Sequence, residues 1–93
     1  MEIINTKRFT KEVAKTPTHV QLAVRKVIDK LIIADSLETS DVDYTFMEGQ
    51  KKDENFFRIR IGQWRIGAEL VEPDIILLRV LPRGTIYKHF PPK

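Results

Sequence analysis

The sequence predicts an α+β fold with two helices packed on one face of an antiparallel sheet of three to four strands. Two observations predict this class. Apolar residues between Val20 and Ile32 recur at helical spacing, whereas residues 56–81 alternate with the two-residue period of strands. The helical segments precede the strands, an order typical of α+β domains. Residues 1–93 are expected to fold as a single domain, because 93 residues can bury one adequate core.

The N-terminal half is predicted to contain one strand and both helices. Residues 1–5 are predicted to form a short strand, and Thr6 to cap a helix that reaches about Lys15. The Thr16-Pro17 pair predicts the start of the second helix, because a capping hydroxyl precedes a proline at the first helical position. Apolar residues at helical spacing then extend this helix to about Ala34.

The C-terminal half is predicted to be an antiparallel meander. Residues 56–61 and 64–71 flank Gly62-Gln63, a glycine-first pair suited to a two-residue hairpin loop. A turn at residues 72–74 leads into a third strand, predicted at 75–81. Residues 44–47 are predicted to form a brief extended segment before the hairpin.

Alternation along the hairpin assigns each side chain to one face of the sheet. With Gly62-Gln63 as the loop, Ile61 lies opposite Trp64 and Arg60 lies opposite Arg65. If the next turn has three residues, the face against which the helices pack carries Phe57, Ile59, Ile61, Trp64, Ile66, Ala68, Leu70, Ile76, Leu78 and Val80. The opposite face then carries Arg58, Arg60, Arg65, Gly67, Glu69 and Arg79. Glu69 is expected to form an ion pair with Arg58 or Arg79.

Several arginines on one sheet face are unfavourable for folding alone. Like charges directly opposite each other on antiparallel strands destabilise a sheet by up to roughly 1 kcal/mol, and Arg60 faces Arg65 in this register. A single arginine is readily explained by its apolar stem covering sheet surface while its charged group extends into water. Four on one face favour a second interpretation, a surface that binds phosphate.

Composition and charge narrow the classes of partner. The net charge is +3, and the excess lies in the second half: residues 1–47 carry seven basic and seven acidic side chains, residues 48–93 nine and six. This distribution favours an anionic partner for the C-terminal half. The chain has no cysteine, no signal-like apolar run at its N-terminus and no apolar stretch of membrane-spanning length. We therefore expect a cytoplasmic protein without disulfides.

The order of these elements and one motif resemble a known family. The run FFRIRIGQWRIG…IILLRVLPRGTIYKHF is similar to the YRIRxGxYRI…RVxHRxxIY pattern of the RelE/ParE superfamily of type II toxin–antitoxin toxins. The resemblance covers nearly the whole chain and implies the predicted fold. It also implies a cognate antitoxin and a toxin–antitoxin hetero-oligomer. RelE-type members are ribosome-dependent mRNA endonucleases, so the ribosome and mRNA are further implied partners.

The resemblance also implies a set of site residues. By position in the motif, Arg65, Arg83 and Tyr87 are the expected catalytic residues, with Tyr87 as the general base. The expected substrate-binding residues are Arg58, Arg60, Arg79 and His89. Arginine suits this role because its planar guanidinium donates paired hydrogen bonds to phosphate oxygens. Tyr87 has an alternative role, closing the end of the meander as a packed side chain.

The sequence departs from the family pattern at Pro82, where many relatives have histidine, and in Arg58 and Arg60, where lysine is common. Guanidinium groups stay protonated and cannot act as bases. Proton transfer would thus fall to Tyr87 or His89. Two histidines without a spaced acidic cluster predict no metal site, and no cofactor is expected.

Two functions other than message cleavage stay open at this point. ParE-type members share the fold but inhibit DNA gyrase without nuclease activity, and an inactive relative would only bind its antitoxin or RNA. The combination of Arg83 with Tyr87 favours the RelE type, whereas Pro82 and the two arginines in place of lysine count against it.

Overall fold

A computed structural model describes residues 1–92, which form five strands and three helices. In chain order these are β1 (Glu2–Asn5), α1 (Lys7–Ala14), α2 (Thr18–Ile33), β2 (Tyr44–Phe46), β3 (Phe56–Ile61), β4 (Trp64–Val71), β5 (Asp74–Pro82) and α3 (Arg83–His89). Within the described residues, no helix has the length and apolar character needed to cross a bilayer.

The predicted α+β class is confirmed, and the sheet is larger than the meander alone. All five strands form one sheet in the order β1-β5-β4-β3-β2, with β1 parallel to β5 and the other neighbours antiparallel. Helices α1 and α2 cover one face, where the core joins Phe9, Val20, Val24, Val27 and Leu31 to Phe57, Ile59, Ile66 and Ala68.

One of the two predicted helix caps is confirmed and the other is wrong. Thr6 caps α1, accepting a 3.2 Å hydrogen bond from the Phe9 amide, and its hydroxyl donates to the Leu77 carbonyl of β5 at 2.9 Å. Thr16 does not cap α2. Its hydroxyl donates to the Val13 carbonyl at 2.7 Å, and α2 begins at Thr18 after Pro17 without a side-chain cap. The hydroxyl of Thr16 therefore serves the C-terminus of α1, where carbonyls lack helical partners.

The predicted hairpin register is confirmed residue by residue. Ile61 pairs with Trp64 and Arg60 with Arg65, around the Gly62-Gln63 loop. Gly62 has a φ of +64°, a backbone conformation that glycine adopts without a steric penalty. The apolar side chains of β3 and β4 therefore face α1 and α2 as alternation predicts.

The predicted parity of β5 is wrong at its first half. Val71 pairs with Asp74, so the loop has two residues rather than three, and Ile75 and Leu77 are buried in the core in place of Ile76 and Leu78. A β-bulge opposite the Gly67/Ala68 step then inserts one extra residue into β5. The shorter loop and the bulge offset each other, so Val80 lies in the core as predicted.

A third helix, not predicted from the sequence, covers part of the other face. Helix α3 follows β5 directly, and Ile86 and Phe90 form a second small core with Phe56 of β3. The Phe90 ring lies directly against Gly67. A Cβ atom at that position would be 2.7 Å from the ring, a distance that van der Waals repulsion forbids. Gly67 thus lets the end of α3 approach the sheet closely.

We expect Gly67→Ala to lower the free energy of unfolding by about 1–3 kcal/mol, the usual cost of inserting a methyl group into a filled site. The methyl group would push Phe90 outward and loosen the adjacent helix. Gly84→Ala is the matched control, because a Cβ there meets no atom within 4 Å. Since alanine is the better helix former, that variant should be neutral or slightly more stable. Chemical denaturation of both variants tests the prediction, and equal stability of the two would contradict it.

Candidate functional site

The hairpin and α3 together form a small arginine-lined cleft, called here the arginine cleft. Strand β3 contributes Arg58 and Arg60, and β4 contributes Arg65, all on the face opposite the main core. Tyr87 of α3 also lines the cleft, which has a volume of about 200 Å³. Asp43 and Thr45, in and just before β2, complete its lining. Three guanidinium groups and one carboxylate make this a site suited to an anion.

Tyr87 is positioned by a contact with Arg58. The Arg58 guanidinium carbon lies 4.8 Å from the centre of the Tyr87 ring, a cation–π arrangement that holds the phenol beside the cleft. Tyr87 is 58% exposed, so it is not a core residue closing the meander. Much of this side chain is therefore accessible to solvent and to a bound molecule.

Arg60 and Arg65 form the like-charged pair that the sequence predicts. They are direct cross-strand partners, and the pair has no acidic partner in the ion pairs among residues 1–92. Arg65 is fixed by its own turn: its Nη1 donates to the carbonyls of Gly62 and Trp64, each at 2.8 Å. Those bonds anchor one edge of the guanidinium. Its other donors are thus available to an anion in the cleft.

Arg79 is committed elsewhere, and the predicted role of Glu69 is wrong. Arg79 forms a bidentate ion pair with Glu12 of α1, with an Nη2–Oε2 distance of 2.7 Å and an Nε–Oε1 distance of 3.0 Å. Glu12 also accepts a 3.1 Å hydrogen bond from the Val80 amide, at the edge of β5 beyond the end of β1. Glu69 forms no ion pair in the described part of the chain. The carboxylate of Glu12 takes the place expected for Glu69.

The two remaining predicted site residues lie outside the arginine cleft. Arg83 begins α3, is exposed, and donates from Nη1 to Oε1 of Gln63 at 3.4 Å. His89, in the last turn of α3, lines a second and larger cleft. The arginine cleft therefore contains four of the predicted site residues: Arg58, Arg60, Arg65 and Tyr87. The other three, Arg79, Arg83 and His89, lie outside it.

The second cleft, called here the large cleft, lies between the N-terminus of α1 and the C-terminal segment. Its volume is about 740 Å³. Its charged side chains are Arg8, Arg79 and Lys88, and His89 adds an imidazole. Apolar surface comes from Met47, Leu78, Pro91 and Pro92. Among residues 1–92, no aspartate or glutamate lines it.

Sequence reasoning missed several residues of both clefts. No sequence motif marks four of them: Asp43, Thr45, Arg8 and Lys88. Each is brought to its cleft only by the tertiary structure. Glu12 did carry a signal: it follows the buried Phe9 by three residues, so it lies on the inward face of α1. Within residues 1–92, no three His, Asp or Glu side chains come close enough to hold a metal ion.

Comparison with known proteins identifies relatives over nearly the full length. No protein-family model matches the chain. Toxin RelE3 of Methanocaldococcus jannaschii is 33% identical to it over 91 residues, covering 98% of this chain and 100% of the relative. That degree of identity over both full lengths indicates common descent, beyond a shared fold.

Two solved structures share the architecture. The crystal structure of the RelB-RelE antitoxin-toxin complex from Methanococcus jannaschii contains a chain that superposes with a TM-score of 0.78 at 32% identity, over 95% of this chain and 99% of that one. The archaeal RelE-RelB complex from Pyrococcus horikoshii gives a TM-score of 0.71 at 21% identity, over 89% and 94%, and supports the fold alone. By sequence and by structure, the chain belongs to the RelE family of type II toxins.

Proposed function

We propose that this RelE-family toxin cleaves messenger RNA on the ribosome and thereby halts translation. The observation that carries the proposal is the arginine cleft, where three guanidinium groups and the exposed phenol of Tyr87 surround one small volume. Cleavage of RNA without a metal requires dense positive charge beside a group that accepts a proton. The family supports a toxin, and the cleft supports the reaction. Such a toxin would act in the cytoplasm, where ribosomes translate.

The reaction would proceed by attack of a ribose 2′-oxygen on the adjacent phosphorus. In this step Tyr87, reacting as its phenolate, accepts the 2′-hydroxyl proton, the new phosphorus–oxygen bond forms, and the bond to the 5′-oxygen breaks. The 5′-oxygen takes up a proton from solvent water as it leaves, so the products are a 2′,3′-cyclic phosphate and a 5′-hydroxyl. Negative charge builds up on the phosphorane at the transition state. Guanidinium groups that are already fixed around the phosphate stabilise this charge and so lower the activation barrier of the cleavage.

The arginines divide into two roles in this proposal. Arg65, anchored by the carbonyls of the hairpin loop, binds the scissile phosphate, while Arg58 and Arg60 neutralise the neighbouring backbone. Arg83 would join Arg65 at the phosphate. It is exposed, and its side chain makes a single 3.4 Å contact with Gln63, so little opposes its movement toward a bound anion. Arg79 is held by Glu12 and shapes the large cleft.

The proposed partner is a cognate antitoxin that forms a hetero-oligomer with this chain. The structural neighbour that is 32% identical to this chain is an antitoxin-toxin complex. An antitoxin segment with acidic side chains would complement the arginine cleft and could displace the exposed Tyr87. Covering that cleft would block access of RNA to every residue assigned above.

The proposal predicts which cellular process stops first. When the toxin is expressed without a partner, incorporation of labelled amino acids should fall before incorporation of labelled thymidine. Purified toxin should cut a message bound to translating ribosomes, and the same message free in solution should be cut far more slowly. Both results follow because the expected substrate is ribosome-bound RNA.

The control is co-expression with the gene for the antitoxin, which should restore growth and translation together. If DNA synthesis stops first, with DNA breaks and intact message, the toxin acts on gyrase and the proposal fails. Growth arrest with intact message and intact DNA would equally refute cleavage as its cause.

A further inference from the structure

The two clefts are neighbours that share a wall. Tyr87 lines both of them, and it is the one residue of the described chain that does so. A second link runs through Met47, which lines the large cleft and whose sulfur lies 4.0 Å from Nη1 of Arg58 in the arginine cleft. A flexible molecule bound in the arginine cleft can therefore extend past Tyr87 into the large cleft.

The large cleft has the chemistry of a site for single-stranded nucleic acid. Two exposed cations, Arg8 on α1 and Lys88 on α3, contribute to its lining from different elements. The third basic residue, Arg79, is neutralised by Glu12. Proteins bind single strands without reading their sequence in basic grooves that carry aromatic stacking side chains. Here the ring of Tyr87, with the apolar side chains of Met47 and Leu78, lines the same cleft as these cations.

The size of the large cleft fits one nucleotide unit rather than a single phosphate. Ligand sites in proteins typically enclose about 300–1,000 Å³. The large cleft, at about 740 Å³, falls within that range, whereas the arginine cleft, at about 200 Å³, lies below it. With two clefts, the scissile phosphate of the substrate would lie in the arginine cleft and a neighbouring nucleotide would lie in the large cleft.

We propose that the large cleft binds the nucleotide adjacent to the scissile phosphate, with its phosphate at Arg8 and Lys88 and its base on the apolar surface of Met47 and Leu78. This inference rests on the proposed RNA cleavage and assigns the part of the substrate that the arginine cleft leaves out. The occupant is single-stranded RNA, bound without base selection. Besides charge and apolar surface the lining offers the His89 imidazole and the hydroxyls of Tyr87 and Thr6, and the Thr6 hydroxyl already donates to the Leu77 carbonyl, so few groups are left to distinguish one base from another.

The test uses a short oligoribonucleotide with 2′-O-methyl groups, which cannot be cleaved because the attacking hydroxyl is blocked. Titrated into isotope-labelled toxin at low salt, it should shift the backbone amide resonances of Arg8, Met47 and Lys88 together with those of Arg58 and Arg65. NMR detects this binding even when it is weak. Oligonucleotides of different base composition should produce the same pattern.

Salt dependence identifies the phosphate contacts. Each phosphate neutralised on a single strand contributes about 0.7 to the slope of log affinity against log salt concentration. Because both residues are assigned to one phosphate, Arg8→Ala and Lys88→Ala should each lower the slope, and the double variant should lower it by about 0.7. Lys26→Ala is the matched control, since this exposed lysine is on α2 and lines neither cleft. Its slope should equal that of the wild type.

Resonance shifts restricted to the arginine cleft, or slopes unchanged in the double variant, would overturn the subsite. An acidic peptide that shifts Arg8 and Lys88 when the oligonucleotide does not would also overturn it, in favour of a protein partner. These outcomes are independent of cleavage. A toxin that cuts message but shows no shift at Arg8 and Lys88 refutes the subsite alone, whereas one that binds in both clefts and cuts nothing refutes the proposed reaction.

Discussion

Tyr87→Phe should slow cleavage of ribosome-bound message by about 10²–10⁴-fold, the range typical for loss of a general base. The substitution deletes the hydroxyl alone. The ring keeps its place against the Arg58 guanidinium, 4.8 Å from its carbon, so the cation–π contact survives. The variant should therefore unfold at the wild-type denaturant concentration. Single-turnover cleavage on programmed ribosomes measures the chemical step directly.

The matched control for this substitution is Tyr44→Phe. Tyr44, in β2, packs edge-on against Phe46 and Phe57 and lines neither cleft, so it loses the same hydroxyl without touching the site. It should cleave at the wild-type rate. If Tyr87→Phe also cleaves at that rate, the phenol is not the base, and His89 on the same helix becomes the residue to substitute next.

Glu12→Ala should lower the free energy of unfolding by about 3–5 kcal/mol, the usual effect of removing one partner of a buried ion pair. The side chains of Arg79 and Glu12 are only 11% and 18% exposed. Without Glu12, the Arg79 guanidinium stays in this confined position with no counter-charge, and the Val80 amide loses its acceptor. Urea denaturation monitored by Trp64 fluorescence measures the loss.

Two comparisons isolate the buried charge as the cause. Lys30 and Asp41 form an exposed pair at 3.5 Å, with side chains 47% and 93% exposed, so Lys30→Ala should cost less than about 1 kcal/mol. Adding Arg79→Met to Glu12→Ala removes the unpaired charge, and part of the lost stability should return. A cost for Glu12→Ala no larger than that of Lys30→Ala would show that solvent already screens the pair.

Arginines on this one sheet differ in whether they have an acidic partner. The Arg79 guanidinium is paired with the Glu12 carboxylate, and this contact holds α1 to the edge of β5. Arg60 and Arg65 instead face each other, and neither is in an ion pair among residues 1–92; the repulsion between them disfavours the unbound protein and would be relieved by a bound anion. A site that carries this repulsion when empty gains more from binding phosphate than a neutral surface would.

Local sequence alone determined most of the fold. Four features were predicted correctly: the hairpin register around Gly62, the apolar faces of β3 and β4, the Thr6 cap, and the placement of Arg58, Arg60 and Arg65 on one face. Each depends on residues close in sequence, through a turn type, a two-residue alternation or a capping hydroxyl. The family resemblance, carried by the same segments, is confirmed by the relatives.

Tertiary structure decided where distant segments meet. In β5, a two-residue loop places Ile75 and Leu77 in the core instead of Ile76 and Leu78, and a bulge then restores the predicted alternation. Both features depend on how β5 fits beneath the helices. The ion pair of Arg79 joins residues 67 positions apart, which alternation along one strand cannot report. Alternation along a strand determines on which face of the sheet a side chain lies. The partner it meets there depends on the path of the rest of the chain, so the division between the arginine cleft and the large cleft exists only once α3 has packed on the sheet.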